Sequence, residues 1–280
     1  MESTTLYYQE SGKTNPMGVS LALMAGLAAA SILGFVYAYA TFYIPIIYFN
    51  FLLTYFFGFS IGYVVGKVGA LGKIRNGRVL LFTAIGMAAV GVYFAWVFWI
   101  SAASEGGLWS FNLNTLWLFI QLIAVEGAWS IFGYTPTGGA LYLIWAAEAA
   151  IILVGAVMAV AAGRGSTPYC ESCDQWLKSK QITERVKGIA NPIGFRKEME
   201  GKNYDALKQL PEADPTARNR TSIQLFSCRA CNNQHYLTID KIERSVDSDG
   251  KAKEQTTRVL ENLKLDRLAY QDIMEWGKQF

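Results

Sequence analysis

Long apolar runs fill the first 163 residues of this 280-residue chain. A helix needs about 20 mostly apolar residues to cross the hydrocarbon core of a bilayer. Four runs are long enough, at about 17–39, 43–66, 79–100 and 140–162. The remainder is as polar as a water-soluble protein. The pattern predicts an N-terminal tail over 1–16, a four-helix transmembrane bundle over 17–163, and a small α+β domain over 164–280.

A fifth apolar run, over 113–132, includes polar residues and predicts a different element. These residues are Asn114, Thr115, Gln121 and Glu126. The apolar residues recur at helical spacing, which is typical of an amphipathic helix lying in the membrane interface. They are Leu113, Leu116, Trp117, Ile120, Ile123 and Ala124. We therefore expect an interfacial helix at about 112–125 on the outer side, rather than a fifth span.

The distribution of basic residues predicts the orientation of the spans. The loop over 67–78 carries four basic residues and no acid, which is typical of a cytoplasmic loop. The segment 101–139 contains no Lys or Arg, so we expect it on the outer side. Six tryptophans map near that side, where indole rings favour the interface: Trp96, Trp99, Trp109, Trp117, Trp129 and Trp145. Four spans then place both termini in the cytoplasm, as expected for a multi-pass protein of the bacterial inner membrane.

Small residues recur at every fourth position in the first two spans. Such a period keeps them on one helix face, where two backbones can approach closely. The first span has Ala22, Gly26, Ala30, Gly34 and Ala38, and the second has Gly58, Gly62 and Gly66. A short link forces the two helices to run antiparallel. We predict that the two faces pack on each other within one chain, and a homodimer seam is the alternative.

Two polar residues inside the predicted spans are candidates for function. Asn50, which follows Pro45 at the start of the second span, is expected to hydrogen-bond to a neighbouring helix. Glu148 lies about two turns inside the last span, and an intramembrane acid is a functional candidate. No second acid, His or Lys occurs at comparable depth, whereas proton relays are usually chains of such groups. We favour a Glu148 that is protonated or bonded to nearby polar groups, with a proton or cation relay as the alternative.

All four cysteines occur in two CxxC pairs, Cys170 with Cys173 and Cys228 with Cys231. Each CxxC turn, here called a knuckle, presents two thiolates, and two knuckles complete a tetrahedral site for one zinc ion. Four protein ligands leave no open position, so the site is expected to be structural. Reducing cytoplasm disfavours disulfides, and a thioredoxin-like couple needs a βαβ context that this region lacks. An iron–sulfur cluster stays open, because four thiolates also bind iron.

The residues around the cysteines are similar to zinc ribbons. Strands are predicted at 222–228, 235–246 and 254–263, with the turn DSDG at 247–250. A helical insertion is expected at about 191–215, and a C-terminal amphipathic helix at about 266–279. His235, the only histidine, is expected to be a strand residue bonded to solvent. Such a small sheet has little core, so the metal is expected to supply much of its folding stability.

The membrane region, over about 17–163, resembles a group of uncharacterised bacterial four-span membrane proteins. The segments that carry this resemblance are YIPIIYFNFLLTYFFGFSIGYVVGKVGALGKIRN at 43–76 and EGAWSIFGYTPTGGALYLIWAAEAAIILVGA at 126–156. They share an aromatic and proline-containing second span, a basic exit, and a last span with Trp and Glu three residues apart. The resemblance implies the architecture and no activity.

The sequence lacks GxxxxGK[ST] and HExxH motifs and has a single histidine, so we expect no enzyme activity. We expect a scaffold or assembly component that presents a zinc-dependent interaction module to the cytoplasm. Its expected partners are the bilayer, a cytosolic protein and further copies of itself. One alternative is a small-solute or proton-coupled transporter that uses Glu148. Another is a membrane-tethered regulator that binds nucleic acid, although a net charge of +3 argues against it.

Overall fold

A computed structural model describes residues 5–44, 46–130, 133–214, 216–246 and 252–280. Pro45 and the predicted 247–250 turn lie outside these described residues. The chain divides into two compact units. One comprises Ser11–Ser166 and is helical. The other combines Met1–Glu10 with Thr167–Phe280 and contains the sheet.

The helical unit contains five helices in its described part. They are α1 (Pro16–Tyr43), α2 (Ile47–Leu71), α3 (Gly77–Ala103), α4 (Leu113–Glu126) and α5 (Gly138–Arg164). Four of them, all except α4, are long and apolar enough to cross a membrane. With 14 residues, α4 is about 21 Å long, too short for a hydrocarbon core of about 30 Å.

Asparagine side chains cap the N-termini of three of these helices. The Oδ1 atom of Asn15 accepts a hydrogen bond from the Met17 N–H of α1. Asn76 and Asn112 cap the first free N–H groups of α3 and α4 in the same way. Such caps satisfy donors that have no partner inside the helix, and each contributes about 1 kcal/mol. The cap at Asn112 also shows why α4 begins at Leu113, the next residue.

The prediction that the small-residue faces of the first two spans pack on each other is wrong. The glycines of α2 lie instead against the backbone of α5: a Cβ on Gly62 would lie 2.2 Å from the Ala156 carbonyl oxygen. The small face of α1 lies mainly against α3, where a Cβ on Gly26 would lie 2.5 Å from Met87 Cγ. The other members of the two faces are Ala22, Ala30, Gly34, Ala38, Gly58 and Gly66. Both faces are therefore filled by helices of the same chain.

The other unit contains six strands and three helices in its described part. They are β1 (Tyr169–Cys170), β2 (Gln175–Trp176), β3 (Lys178–Lys187), α6 (Pro192–Glu200), α7 (Asp205–Lys208), β4 (Asn219–Ser227), β5 (His235–Val246), β6 (Ala252–Leu265) and α8 (Arg267–Trp276). Strands β3 to β6 form an antiparallel sheet in sequence order, and β1 pairs with β2. The register of the central pair places Ile223 opposite Ile239 and Phe226 opposite Tyr236.

One face of the sheet carries a substantial apolar core. Alternate residues of β4 to β6 point to this face, where α6, α7 and α8 cover them. The fully buried members include Met199, Leu207, Ile223, Leu225, Leu237, Ile239, Leu260 and Ile273. The expectation of a sheet with little core is therefore wrong. The insertion between the knuckles supplies α6 and α7, and these helices provide much of the cover.

The N-terminal segment belongs to the sheet unit rather than forming a separate tail. Tyr7 bridges to Leu263 on the outer edge of β6. The Tyr8 N–H donates to the Asn262 carbonyl, and the Lys264 N–H donates to the Leu6 carbonyl, each at 2.9 Å. Since this segment and β6 belong to one folded unit, they lie on the same side of any membrane that the helices between them cross. Such an arrangement requires an even number of crossings, and the four long apolar helices fit that number.

Candidate metal centre

The first knuckle is built by a small hairpin. Strands β1 and β2 pair Cys170 with Gln175, so the turn between them carries the second thiol, that of Cys173. Asp174 adopts a left-handed conformation with φ of 49°, which closes the turn, and it accepts a hydrogen bond from the Tyr169 hydroxyl. Asp is among the non-glycine residues that enter this region most readily. The hairpin therefore holds both sulfurs of the first knuckle on a short, internally bonded turn.

The second knuckle lies between the central strands of the sheet. Cys228 directly follows β4, and its N–H donates to the Gln234 carbonyl just before β5. The Asn232 N–H donates back to the Cys228 carbonyl at 2.9 Å, and Asn232 takes a φ of 49°. The turn that carries Cys231 is thereby closed at its base by β4 and β5, the two central strands of the sheet. The sheet supplies a rigid support for this pair of sulfurs.

The four sulfur atoms converge on one point. All four Sγ atoms lie within 4.8 Å of one another, and Cys170 and Cys231 lie 3.8 Å apart. A tetrahedral zinc ion with Zn–S bonds of about 2.3 Å places its sulfurs about 3.8 Å apart. The four thiols are free rather than joined as disulfides. Their arrangement fits a single ion held by four cysteines, which is the predicted ligand set.

Polar groups around the sulfurs favour a thiolate at Cys228. Burial by itself would raise the pKa of this thiol, but the N–H groups of Cys231 and Ala230 and the amide of Gln175 donate to the sulfur. Together they lower the pKa of Cys228 to about 6. The Nε2 of Gln175 lies 3.2 Å from that sulfur. Hydrogen bonding to the Cys231 sulfur raises the pKa of Cys173 to about 12, as expected when crowded thiols share protons.

A second, smaller apolar cluster surrounds the sulfurs. Cys170 and Cys228 are fully buried there with Leu177, and Phe226 and Tyr236 lie beside them. By strand alternation these two rings lie on the face of the sheet opposite the main core. The cluster is therefore separate from the main core, and the two share only the sheet between them.

The environment of the His235 side chain differs from the prediction. It begins β5 as expected, but its side chain is buried, with 1% of its surface exposed, rather than bonded to solvent. Its Nε2 donates to the Asn232 carbonyl at 3.0 Å, and its ring stacks on Tyr270 with centroids 4.1 Å apart. Burial lowers the pKa of His235 and favours the neutral ring. The histidine supports the second knuckle from outside the sulfur cluster.

The predicted intramembrane residues lie together at one end of the helical unit. Asn50 of α2 and Glu148 of α5 line the same cavity, with Thr41 of α1 and Trp99 of α3. Asn50 was expected to hydrogen-bond to a neighbouring helix. Its Oδ1 is buried without a hydrogen-bond partner among the described residues. Glu148 likewise makes no hydrogen bond or ion pair within the described part of the chain.

Two residues that contribute to the metal centre could not be identified from the sequence. Gln175 touches a ligand sulfur, but a single glutamine two residues after a cysteine carries no pattern. Tyr8 packs on the cluster from a segment 162 residues before Cys170. The adjacent tyrosines at 7 and 8 in a polar tail are a weak strand signal, yet nothing in the sequence indicates their partner.

No protein family, curated protein or solved structure matches this chain. The resemblance of the membrane region to bacterial four-span proteins therefore stays a prediction, and function has to be argued from the geometry.

Proposed function

We propose that this protein anchors a zinc-stabilised binding module at the cytoplasmic face of a bacterial inner membrane. The observation that carries the proposal is the closed set of four sulfurs from Cys170, Cys173, Cys228 and Cys231. Four protein ligands leave no coordination position for a substrate or water, so the ion acts in structure rather than in catalysis. The zinc ion holds both knuckles to the sheet. The module then serves by binding another protein.

The distribution of charge and the chemistry of the thiols support the cytoplasmic side. The loop that joins α2 to α3 carries Lys67, Lys73, Arg75 and Arg78, and cytoplasmic loops are enriched in such residues. With an even number of crossings, the sheet unit lies on the same side as this loop. Free thiols persist in the reducing cytoplasm, which favours metal binding over disulfides.

A groove at the far end of the sheet is the proposed binding surface. It has a volume of about 610 Å³ and lies where β3 ends and β4 begins. Along β4 this end is about 27 Å from the knuckles, as the strand rise requires. The groove is lined by three basic side chains and one acidic side chain. The basic residues are Lys187, Arg218 and Lys241, and the acid is Glu212. We infer that the partner presents an acidic segment of a cytosolic protein, because opposite charge attracts and orients such a segment.

Two experiments test the proposal. Reporter fusions at residues 106 and 280 should report the outer side and the cytoplasm respectively, and the reverse pattern would overturn the orientation. For the binding surface, the intact protein is crosslinked in cells, purified in mild detergent and compared with Arg218→Glu by quantitative mass spectrometry. A partner should be recovered with the wild type and with Lys180→Glu, which reverses an exposed charge on β3. The same partner should be lost from Arg218→Glu. Equal recovery with all three proteins would dismiss the groove.

A further inference from the structure

The helical unit encloses two adjoining cavities at the end opposite the basic 67–78 loop. Their volumes are about 120 Å³ and 210 Å³. Thr41, Asn50, Trp99, Trp129 and Glu148 line both of them. A single buried water needs only about 10–15 Å³ of such space, and an apolar cavity of about 150 Å³ accepts benzene. The cavities therefore have room for a small organic molecule.

The Glu148 carboxylate is the only acidic side chain on the cavity walls among the described residues, and no base faces it there. The basic residues of the helical unit belong to the other end: Lys13, Lys67, Lys73, Arg75, Arg78 and Arg164. Arg164 lies about 24 Å farther along α5, from the helical rise. A partly buried carboxylate is costly unless a proton or a cation accompanies it. A cation in the cavity would therefore take the place of the proton on Glu148.

Several aromatic rings line the cavities. Trp96, Trp99 and Trp145 come from α3 and α5, and Tyr37 from α1. Trp96 and Trp145 meet at 88° with centroids 4.9 Å apart, and Trp96 and Trp99 meet at 64°. These rings pack on one another edge to face where they line the cavity. The faces of aromatic rings attract cations, and cages of such rings recognise quaternary ammonium groups.

The polar groups on the walls distinguish an organic cation from a metal ion. Hard cations such as Ca²⁺ take about 6–8 oxygen ligands. The side chains of the described walls offer the Glu148 carboxylate, the Asn50 amide, and the hydroxyls of Thr41, Tyr37 and Ser130. All three hydroxyls already take part in hydrogen bonds within the chain. This is too little oxygen for a bare ion. The Asn50 Oδ1 is fully buried and has no hydrogen-bond partner in the described chain, so it is not exposed to an ion in the cavity.

We propose that this cavity binds an organic ammonium ion of the choline type. Its charged group lies between the Glu148 carboxylate and the tryptophan rings that line the cavity. This site is independent of the function proposed for the sheet unit. Two sources share this chemistry: a free quaternary ammonium compound and the headgroup of a choline lipid.

The test uses the full-length protein in a maltoside detergent, which has no ammonium group. Choline chloride is titrated beside 3,3-dimethyl-1-butanol, a neutral isostere in which carbon replaces nitrogen, and beside potassium chloride. Choline should produce a saturable change in tryptophan fluorescence and a rise in Tm, whereas the alcohol and the salt should not. Equal responses to choline and its isostere, or no saturable response to choline, would overturn the proposal.

Two variants test whether the Glu148 carboxylate binds the ammonium group. Glu148→Gln should raise the apparent Kd for choline roughly tenfold or more, since it removes the carboxylate and keeps the shape. Glu126→Gln, an exposed acid at the end of α4, is the matched control and should bind choline like the wild type. An unchanged Kd in Glu148→Gln would contradict the proposal. If that variant does not fold, the comparison of choline with its isostere in the wild type still tests the proposal.

Nanodiscs distinguish the two sources. In phosphatidylglycerol discs, added choline should elicit the same response as in detergent. If the response is lost in phosphatidylcholine discs, the lipid headgroup occupies the site. If it persists there, the ligand is the free ion. The absence of a response in detergent and in phosphatidylglycerol discs would reject both.

Discussion

The ring of Tyr8 packs edge-on against the ring of Tyr236, with their centroids 5.6 Å apart and their planes at 78°. The two residues are 228 positions apart, and all the membrane helices lie between them in sequence. Tyr236 belongs to the cluster around the cysteines, so this contact ties the N-terminal segment to the metal centre. The sheet unit is complete only when both ends of the chain are present.

Removing this contact should destabilise the sheet unit. Tyr8→Ala deletes a ring that lies on the metal cluster, and we expect a loss of about 2–4 kcal/mol in the free energy of unfolding. Hydrogen exchange of β6 in the full-length protein would measure it. Leu268→Ala on α8, where the side chain is 78% exposed, is the control and should leave the exchange unchanged. Wild-type protection of β6 in Tyr8→Ala would show that the contact contributes nothing.

The metal should stabilise the knuckles more than the main sheet. The purified protein is expected to carry one zinc ion, and Cys228→Ser should lose it. Elemental mass spectrometry would measure the zinc content of both proteins. Because the main core lies on the other face of the sheet, the exchange protection of Leu225 and Ile239 should largely survive, while the knuckles become exposed. Ser245→Ala, distant from the cysteines, should keep the metal. Complete unfolding of Cys228→Ser would restore the view that the metal supplies most of the stability.

Gln175 should tune metal affinity through its hydrogen bond to the Cys228 sulfur. Gln175→Leu keeps the size of the side chain but removes the donor, so the pKa of Cys228 should rise above about 6. Groups that support a metal ligand typically contribute about 10–100-fold in affinity, and we expect an effect near tenfold. Competition with a chelator would measure it. Gln271→Leu, exposed on α8, serves as the control, and equal affinities in the two variants would refute the role of Gln175.

Acid should destabilise the sheet unit through His235. Burial lowers the pKa of this histidine in the folded state, so the unfolded chain binds its proton more tightly. The stability contributed by the neutral ring is fully present above the unfolded pKa of about 6.5 and is lost as the pH falls below it. His235→Phe keeps a ring against Tyr270 but cannot titrate. The stability difference between wild type and His235→Phe should therefore shrink as the pH falls from 7 to 5, and a constant difference would contradict this prediction.

The close contact between α2 and α5 should not tolerate a side chain. Gly62→Ala would place a Cβ 2.2 Å from the Ala156 carbonyl oxygen, so the helices must separate. We expect a loss of about 1–3 kcal/mol, seen as a lower Tm in detergent. Gly86→Ala on α3 is a matched control, because a Cβ there meets nothing within 4 Å. It should be neutral or stabilising by up to about 1 kcal/mol, since alanine favours helices. Equal Tm values in the two variants would disprove the steric argument.

Local patterns in the sequence predict the helices well. Each apolar run is long enough to cross the hydrocarbon core of a bilayer, and Asn76 and Asn112 mark helix starts with side chains that cap them. The cysteine ligand set was equally evident, because two CxxC turns each bring two thiols together without help from distant residues. The strands at 222–228 and 235–246 were visible from their alternation, although β4 extends further towards its N-terminus than predicted.

The apolar segments long enough to span a membrane, and the four thiols that can share one ion, are evident from the amino-acid sequence. Both properties depend on residues close together along the chain. The three-dimensional fold was needed to show that α2 packs its glycines on α5, that Tyr8 joins the sheet unit, and that Glu148 lines a cavity with several tryptophans. These contacts join residues far apart in sequence. Several helix faces of similar composition compete for the same partners, and the fit of side-chain shapes in three dimensions selects among them.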